Sequence, residues 1–328
     1  MLGFVSFLAG PLQDYLELKT RLGFTSFARH GHSTGLDRYL ASQGTSSFAE
    51  LNEELLLRWM SASPERAAKT KNQMLIFARG LFEYLVRHAY LADNPARQIR
   101  SLKEKPYRPY LYTLYDIHQI LEAARSHRIY KNLPLSNQTL ETLIFLLYAC
   151  GLRLSEALNL KVKDVNFQDL TLSLWKTKFH KERLIPFSPA VSDKLRQYLA
   201  RRAKQFRLPS TEAPFFCHAK GKYSRGVIQK HFRKIVAGIG LANTKPRPRL
   251  HDLRHAFAVH RLYKWYQEGC DIQNKLPYLS TYMGHVSLDN TQVYLTITTA
   301  LLREADRRFQ DSFEDLAKTP IGRVFKKR

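Results

Sequence analysis

Acidic residues are scarce in this sequence, and their scarcity sets its charge. There are 28 aspartates and glutamates against 52 lysines and arginines, so the formal charge is +24 and the isoelectric point about 10.0. This excess is larger than solubility requires, and it is uneven, with a net +4 in residues 1–105 and +20 in residues 106–328. A polyanionic partner is the leading expectation, with a generic basic surface or an RNA-binding chain as alternatives.

Closely spaced cysteines and long apolar runs are also missing. Cys150, Cys217 and Cys270 lie far apart and form no C-x-x-C pair, which argues against a zinc site and favours a reducing cytoplasm. No stretch reaches the roughly 20 uninterrupted apolar residues of a membrane helix. The apolar opening, residues 1–10, lacks the basic region of a signal peptide, so we expect no membrane association.

The first hundred residues show helical periodicity throughout. Helices are predicted at residues 12–21, 36–42, 47–60 and 67–89, the last with a core stripe of Met74, Phe77, Leu81, Tyr84 and Leu85. Residues 101–110 contain two prolines and three positive charges without apolar periodicity, which is typical of a linker. We therefore expect one domain over residues 1–105 and another over 106–328.

The second domain is predicted to be mainly α-helical with one small antiparallel β-sheet. Helices are expected at residues 114–125 and 140–149, and the second is apolar almost all round, which predicts burial. Strands at 170–175 and 183–187 flank a basic turn, residues 176–182. Helices resume from residue 190, with breaks at 209–224 and 243–248. The segment 266–278 should widen a turn between two helices, and residues 299–317 should form an amphipathic helix.

Two patterns in the first half of this domain have chemical potential. In Gly151-Leu-Arg153-Leu-Ser155-Glu156 a buried helix ends, Ser155 can cap a new one, and a guanidinium on the turn can bind an anion. The alternative is a simple ion pair between Arg153 and Glu156. The turn after residue 175 carries Lys178, with Lys176 and Lys181 beside it, and a solvated turn is the alternative there.

Two further patterns follow towards the C-terminus. His251 and Arg254 are three residues apart at a helix start, so both can face one anion, although a structural role is the common alternative. Gly284 allows a tight helix stop that presents His285 at the terminus. Tyr294 follows nine residues later, and by itself such a tyrosine is usually a half-buried aromatic.

The order Arg, Lys, His-x-x-Arg, Gly-His, Tyr resembles the catalytic set of the tyrosine recombinase (phage integrase) family, which includes the Xer chromosome-dimer resolvases. The resemblance runs from about Pro109 to Arg308 and is carried by GLRLSEALNLKVKDV, HKERLIPF, RLHDLRHAFA and YMGHVSLDNTQVYL. The helical N-terminal part resembles the family's core-binding (SAM-like) DNA-binding domain. In the hairpin, Phe179 and His180 stand where the family often has glycine, which leaves the catalytic lysine open among the three.

The resemblance implies a role for each residue of the set. Arg153 and Arg254 would hold the non-bridging oxygens of a DNA phosphate, and Tyr294 would attack the phosphorus to give a 3′-phosphotyrosyl bond. Lys178 would protonate the departing 5′ oxygen. His251 would assist proton transfer at the tyrosine, and His285 would donate a hydrogen bond to the phosphate.

The resemblance also implies partners and a setting. We expect double-stranded DNA, a homotetramer or a hetero-tetramer with a related recombinase on DNA, no cofactor or metal, and a cytoplasmic, nucleoid-associated bacterial protein. Its unusual hairpin slightly favours integration, excision or transposition of a mobile element over Xer-like resolution. A type IB topoisomerase and a non-catalytic DNA-binding regulator are the alternatives, and the absence of an acidic cluster in the sequence argues against a metal-dependent transposase.

Overall fold

The structure is a computed structural model, which describes residues 3–24, 31–104, 108–129, 135–175, 182–205, 210–219 and 221–284. The chain divides into two compact units, Met1–Tyr107 and Arg108–Arg328. The division lies within the stretch 101–110, where the sequence predicts a linker. The roles of the two units as core-binding and catalytic domains stay predictions.

The first unit is helical and is organised around its longest helix. Its helices are α1 (Ala9–Arg21), α2 (Gly31–Ser42), α3 (Glu53–Ser61) and α4 (Ala68–Arg87). The predicted stripe on α4 is confirmed as core, since Met74, Leu81 and Leu85 have no exposed surface. Asn72 ties α4 to the following chain, because its side chain donates to the Leu102 carbonyl and accepts from the Leu102 N–H.

The second unit builds its core around α6, which the sequence predicted to be buried. Leu140, Leu143 and Ile144 on this helix have no exposed surface, and α6 packs against the helices α5, α8 and α10. The helices that the structure describes in this unit are α5 (Leu114–Ser126), α6 (Ser136–Ala149), α7 (Leu154–Asn159), α8 (Pro189–Gln205), α9 (Arg225–Gly238), α10 (Asp252–Gln267) and α11 (Ile272–Met283).

A small antiparallel sheet lies beside these helices, as predicted. Its order is β1 (Val165–Asn166), β2 (Thr171–Leu174) and β3 (Arg183–Pro186), with Leu174 paired to Arg183 at the end next to residues 175–182. A second pair, β4 (Cys217–His218) and β5 (Gly221–Lys222), was not predicted. Strands of two residues are too short to show an alternating pattern in the sequence.

The expected wide turn between α10 and α11 is wrong. The segment 266–278 does not widen a turn, because α10 ends at Gln267 and α11 begins at Ile272. Asp271 caps α11 by accepting hydrogen bonds from the N–H groups of Gln273 and Asn274, which starts the helix early. The predicted helix at 299–317 lies outside the described residues. Among the helices described, none has the length and apolar character needed to cross a membrane.

Candidate active site

The turn between α6 and α7 places Arg153 at the start of a helix. Gly151 adopts φ +58°, and a Cβ built there would lie 2.5 Å from Cδ1 of Phe257 on α10. Glycine is therefore required on both conformational and steric grounds. Arg153 is itself the N-cap of α7, with its N–H donating to Glu156 Oε2 at 2.8 Å, so the expectation that Ser155 caps this helix is wrong.

Glu156 is a buried carboxylate shared by two arginines from different elements. Arg153 Nη1 donates to Glu156 Oε1 at 2.8 Å, so the ion pair weighed from the sequence is present. Arg183, the first residue of β3, donates to both oxygens through Nη1 at 3.1 Å and Nη2 at 3.0 Å. Burial alone would raise the pKa of Glu156, but the two guanidiniums and the Arg153 N–H lower it, so the carboxylate remains charged.

Arg254 joins the same carboxylate from α10. Its Nη1 lies 4.0 Å from Glu156 Oε2 and donates to the Gly151 carbonyl at 2.6 Å. Its side chain is 3% exposed, compared with 22% for Arg153. The structure therefore brings together the two predicted arginines, and of the pair Arg153 has the more accessible guanidinium.

The last carbonyls of α11 each accept a hydrogen bond from a different arginine. Arg183 donates to the Tyr282 carbonyl, Arg254 to the Met283 carbonyl and Arg153 to the Gly284 carbonyl. These groups have no partner within their own helix, and the C-terminus of a helix attracts positive charge. The end of α11 is thus fixed to the arginines.

Gly284 ends α11 in the left-handed conformation, at φ +63° and ψ +47°. The predicted helix stop is confirmed. A Cβ at this position would lie 2.7 Å from Arg183 Nη1, so a glycine is needed for the close approach as well as for the backbone angle. His285, the next residue in the chain, lies outside the described residues.

We call Arg153, Glu156, Arg183 and Arg254 the arginine cluster. Its three guanidiniums share one carboxylate and three helix-terminal carbonyls, so it keeps an excess of positive charge. Guanidinium is always protonated in proteins and forms forked hydrogen bonds to carboxylate or phosphate oxygens. The cluster is therefore suited to stabilising an anion next to Arg153.

A groove of about 790 Å³ opens beside Arg153. Lysines 161, 163 and 222 supply further positive charge along it. Trp175, which is 56% exposed, contributes an aromatic wall, and its Nε1 donates to Asp164 Oδ1 at 3.0 Å. The groove is cationic. Trp175 on its wall directly precedes residues 176–182, which the sequence predicts to form the lysine-rich turn. A phosphate-bearing polymer matches this chemistry.

Glu212 bridges two of the lysines of this groove. Its carboxylate oxygens lie 2.8 Å from Lys161 Nζ and 2.5 Å from Lys163 Nζ. The backbone holds it there, since Lys163 N–H donates to the Thr211 carbonyl at 2.9 Å. Hydrogen bonds from the lysines lower the pKa of Glu212 to about 2. An exposed carboxylate therefore occupies a position between two ammonium groups that a phosphate could also occupy.

His251 stands immediately before α10 and close to His255. The two imidazole rings are 5.1 Å apart and nearly perpendicular. Lost hydration, with further contributions from His255 and the Arg254 charge, lowers the pKa of His251 to about 4, and burial beside Arg254 and Arg249 does the same for His255. At neutral pH both rings are uncharged, and the low pKa makes His251 a weak base until a negative charge beside it favours the protonated ring.

The structure does not place His251 in the groove of Arg153. His251 instead lines a second groove of about 760 Å³, together with Arg233, Arg247 and Arg249. Arg254, one turn further along α10, connects His251 to the arginine cluster through the helix. Within the described ranges, no group of three or more His, Cys, Asp or Glu side chains could hold a metal ion.

Three of the six predicted residues lie outside the part of the chain that the structure describes. These are Lys178, His285 and Tyr294, and the competing lysines Lys176 and Lys181 also lie there. Sequence reasoning missed the bridging position of Glu156 and any role for Arg183. One signal for Arg183 existed. It is a charged residue on the same strand face as Ile185, which is fully buried.

Comparison with known proteins gives consistent results. A model of the phage integrase family matches residues 113–300. The putative integrase/recombinase y4rB of Sinorhizobium fredii is 34% identical over 312 residues, covering 93% of this chain and 97% of that protein. The tyrosine recombinase XerD of Listeria innocua is 28% identical over 235 residues, covering 70% and 72%. The structure of XerH bound to palindromic difH substrate has a TM-score of 0.65 at 20% identity, covering 88% and 80%, which shows a likeness of fold.

Proposed function

The chain belongs to the phage integrase family of tyrosine recombinases, and on that premise we propose that it breaks and rejoins DNA strands at specific sites through a covalent tyrosine intermediate. The observation that supports this most is the arginine cluster. Arg153 and Arg254 come from distant parts of the sequence and meet at one buried carboxylate beside a cationic groove.

In this proposal the two predicted arginines stabilise the scissile phosphate. Attack at phosphorus places additional negative charge on the non-bridging oxygens, and fixed guanidiniums offset that charge without rearranging. Glu156 and the carbonyls at the end of α11 hold the guanidiniums in place before substrate arrives. Such preorganisation favours the transition state over the ground state.

Tyr294 is the proposed nucleophile. Its oxygen forms a bond to phosphorus while the bond to the 5′ oxygen breaks, which leaves a 3′-phosphotyrosyl link and a free 5′ hydroxyl. The neutral His251 accepts the tyrosine proton, and Lys178 gives a proton to the 5′ oxygen. His285 donates to a phosphate oxygen. The energy of the phosphodiester is kept in the covalent link, so rejoining needs no external energy source.

The surface of the second unit supplies binding to the DNA backbone. Helix α9 begins at the cap Ser224 and exposes Arg225, Lys230, Arg233 and Lys234. Its side also lines the second groove, where Arg247 and Arg249 add further positive charge. Contacts of this kind give affinity and position, while base contacts choose the site.

We propose that the first unit closes on DNA as a core-binding domain and that four copies assemble on two sites. The higher identity with a putative integrase/recombinase, 34% compared with 28% for a tyrosine recombinase XerD, supports integration, excision or transposition of a mobile element. In this scheme the protein acts at the bacterial nucleoid.

A suicide substrate tests the chemistry. This DNA carries a nick near the cleavage position, so that the short released strand diffuses away and the covalent adduct accumulates. We expect the wild-type chain to form an adduct and Tyr294→Phe to bind the same DNA with unchanged affinity but to form none. An adduct of undiminished yield with Tyr294→Phe would refute the assignment of the nucleophile.

A second assay separates recombination from topoisomerase activity. Plasmids carrying two target sites are compared with plasmids carrying none, and both supercoiling and the order of flanking markers are followed. Exchange of markers that depends on two sites supports the recombinase. Relaxation at equal rates on both plasmids, without exchange, would support a type IB topoisomerase.

A further inference from the structure

Arg183 directly follows residues 176–182, where the sequence predicts the lysine-bearing turn. It is the first residue of β3 and pairs with Leu174, the last residue of β2. The chain between them contains Lys178, the proposed general acid. Anything that fixes Arg183 therefore fixes one end of the segment that carries this lysine.

The side chain of Arg183 reverses the usual pattern of a strand. Alternate residues of a strand face opposite sides of the sheet, and Arg183 shares the inward face with Ile185, which is fully buried. Leu184 points outward and is 64% exposed, whereas the Arg183 side chain is only 9% exposed. A charged group inside and a leucine outside cost stability, so the buried arginine needs an explanation beyond packing of the sheet.

The side chain of Arg183 contacts both the carboxylate that holds Arg153 and the end of α11. Its two Nη atoms donate to the two oxygens of Glu156, which also binds Arg153 at the start of α7. Its Nε donates to the Tyr282 carbonyl at 3.0 Å, two residues before the end of α11 at Gly284. One planar guanidinium thus links β3 to Glu156, the carboxylate that also binds Arg153. The same guanidinium links β3 to the end of α11, the helix that precedes His285.

We propose that Arg183 is a positioning residue, which sets the lysine turn relative to the arginine cluster so that Lys178 reaches the departing 5′ oxygen. This rests on the proposed function and deepens it. Lysine cannot replace arginine here, because three directed contacts in a plane need the forked shape of guanidinium and not an ammonium point charge. Misplacing a reacting group by about 1 Å costs on the order of 100-fold in rate.

The test uses the leaving group to isolate the step on which Arg183 acts. Arg183→Lys and Arg183→Gln are assayed on a suicide substrate and on its twin, in which sulfur replaces the bridging 5′ oxygen. In the twin the P–S bond breaks and the electron pair leaves on sulfur as a thiolate. A thiol has a pKa of about 8.5, so this leaving group needs no proton from Lys178.

We expect Arg183→Lys to bind DNA like wild type and to cleave the oxygen substrate about 100-fold more slowly, but to cleave the sulfur substrate at nearly the wild-type rate. Lys178→Ala should behave in the same way, and the double variant should be no slower than Lys178→Ala alone. Arg202→Lys is the matched control, since Arg202 is also buried and donates to the Phe215 carbonyl. It should leave both cleavage rates unchanged.

Several results would overturn the proposal. An equal loss on both substrates would place Arg183 in phosphate activation instead of leaving-group protonation. No loss on either substrate would make its contacts irrelevant to the chemistry. Failure of both Arg183 variants to fold, judged by circular dichroism, would make it a requirement of the fold alone. The proposed function itself fails differently, because then the wild-type chain forms no adduct with either substrate.

Discussion

Glu156→Gln removes the negative charge that three arginines share while keeping the size of the side chain. In the native chain the carboxylate accepts from the Arg153 N–H, from Arg153 Nη1 and from both Nη atoms of Arg183, with Arg254 at 4.0 Å. The amide of glutamine offers one acceptor oxygen and an NH₂ group that can only donate. That NH₂ group would face guanidinium donors, so at least one contact is lost and the guanidiniums repel one another without compensation.

The expected loss of stability follows from the burial of this site. Removing one partner of a buried ion pair costs about 3–5 kcal/mol, and the amide oxygen that remains favours the lower end, about 3 kcal/mol. For a unit of this size, that corresponds to a fall of roughly 6–12 °C in melting temperature. The displaced arginines should also slow the cleavage of a suicide substrate by about 100-fold.

Glu141→Gln is a control matched in burial and charge. The side chains of Glu141 and Glu156 are both 5% exposed. Glu141 pairs with Arg125 at 2.9 Å and Lys194 at 2.5 Å, away from the arginine cluster.

Both variants are followed by thermal unfolding with circular dichroism and by single-turnover cleavage well below the lower melting temperature. Glu141→Gln should lower stability to a similar degree and leave the cleavage rate of the folded protein unchanged. The reasoning fails if Glu156→Gln is as stable as wild type, or if both variants slow cleavage equally.

Three further predictions use the same assays. Gly284→Ala should lower the melting temperature and slow cleavage. The reason is that Gly284 has a φ of +63° and the new Cβ would lie 2.7 Å from Arg183 Nη1. Wild-type behaviour in both assays would contradict the close approach. Glu212→Gln frees two lysines of the groove, so in DNA titrations the affinity should rise and the slope of log K against log salt should steepen by up to about 2; an unchanged slope would show that these lysines do not meet phosphates. His251 and His255 have pKa values of about 4 in the folded chain but about 6.5 when unfolded, and the unfolded chain therefore binds more protons between these values. Stability is fully present above about pH 6.5 and is lost as the pH falls towards 4; urea midpoints should decrease over this window, and His255→Asn should flatten the decrease.

The longer elements could be predicted from the sequence because their patterns are local. The helices around Met74 and Leu143 show apolar periodicity over several turns, and the hairpin shows alternation on both sides of a polar turn. The early start of α11 was missed because Pro277 and the polar residues before it hide the helical pattern, although Asp271 is a recognisable cap. The two-residue strands offered no pattern.

The site could be predicted only in part, for a different reason. Arg153 and Arg254 stand in recognisable motifs, and the structure places both at Glu156. The bridging contacts of Glu156 and Arg183 depend on tertiary packing, since their partners include carbonyls at the end of α11. Backbone carbonyls carry no sequence signal, so no motif could have revealed which helix end receives the guanidiniums.

Identification of the residue that is joined to DNA tests the central claim most directly. The adduct from a wild-type reaction on a suicide substrate is digested with trypsin and nuclease, and the modified peptide is sequenced by tandem mass spectrometry. The account predicts a nucleotide attached through its 3′ phosphate to Tyr294. Attachment to another side chain, or through a 5′ phosphate, would contradict it.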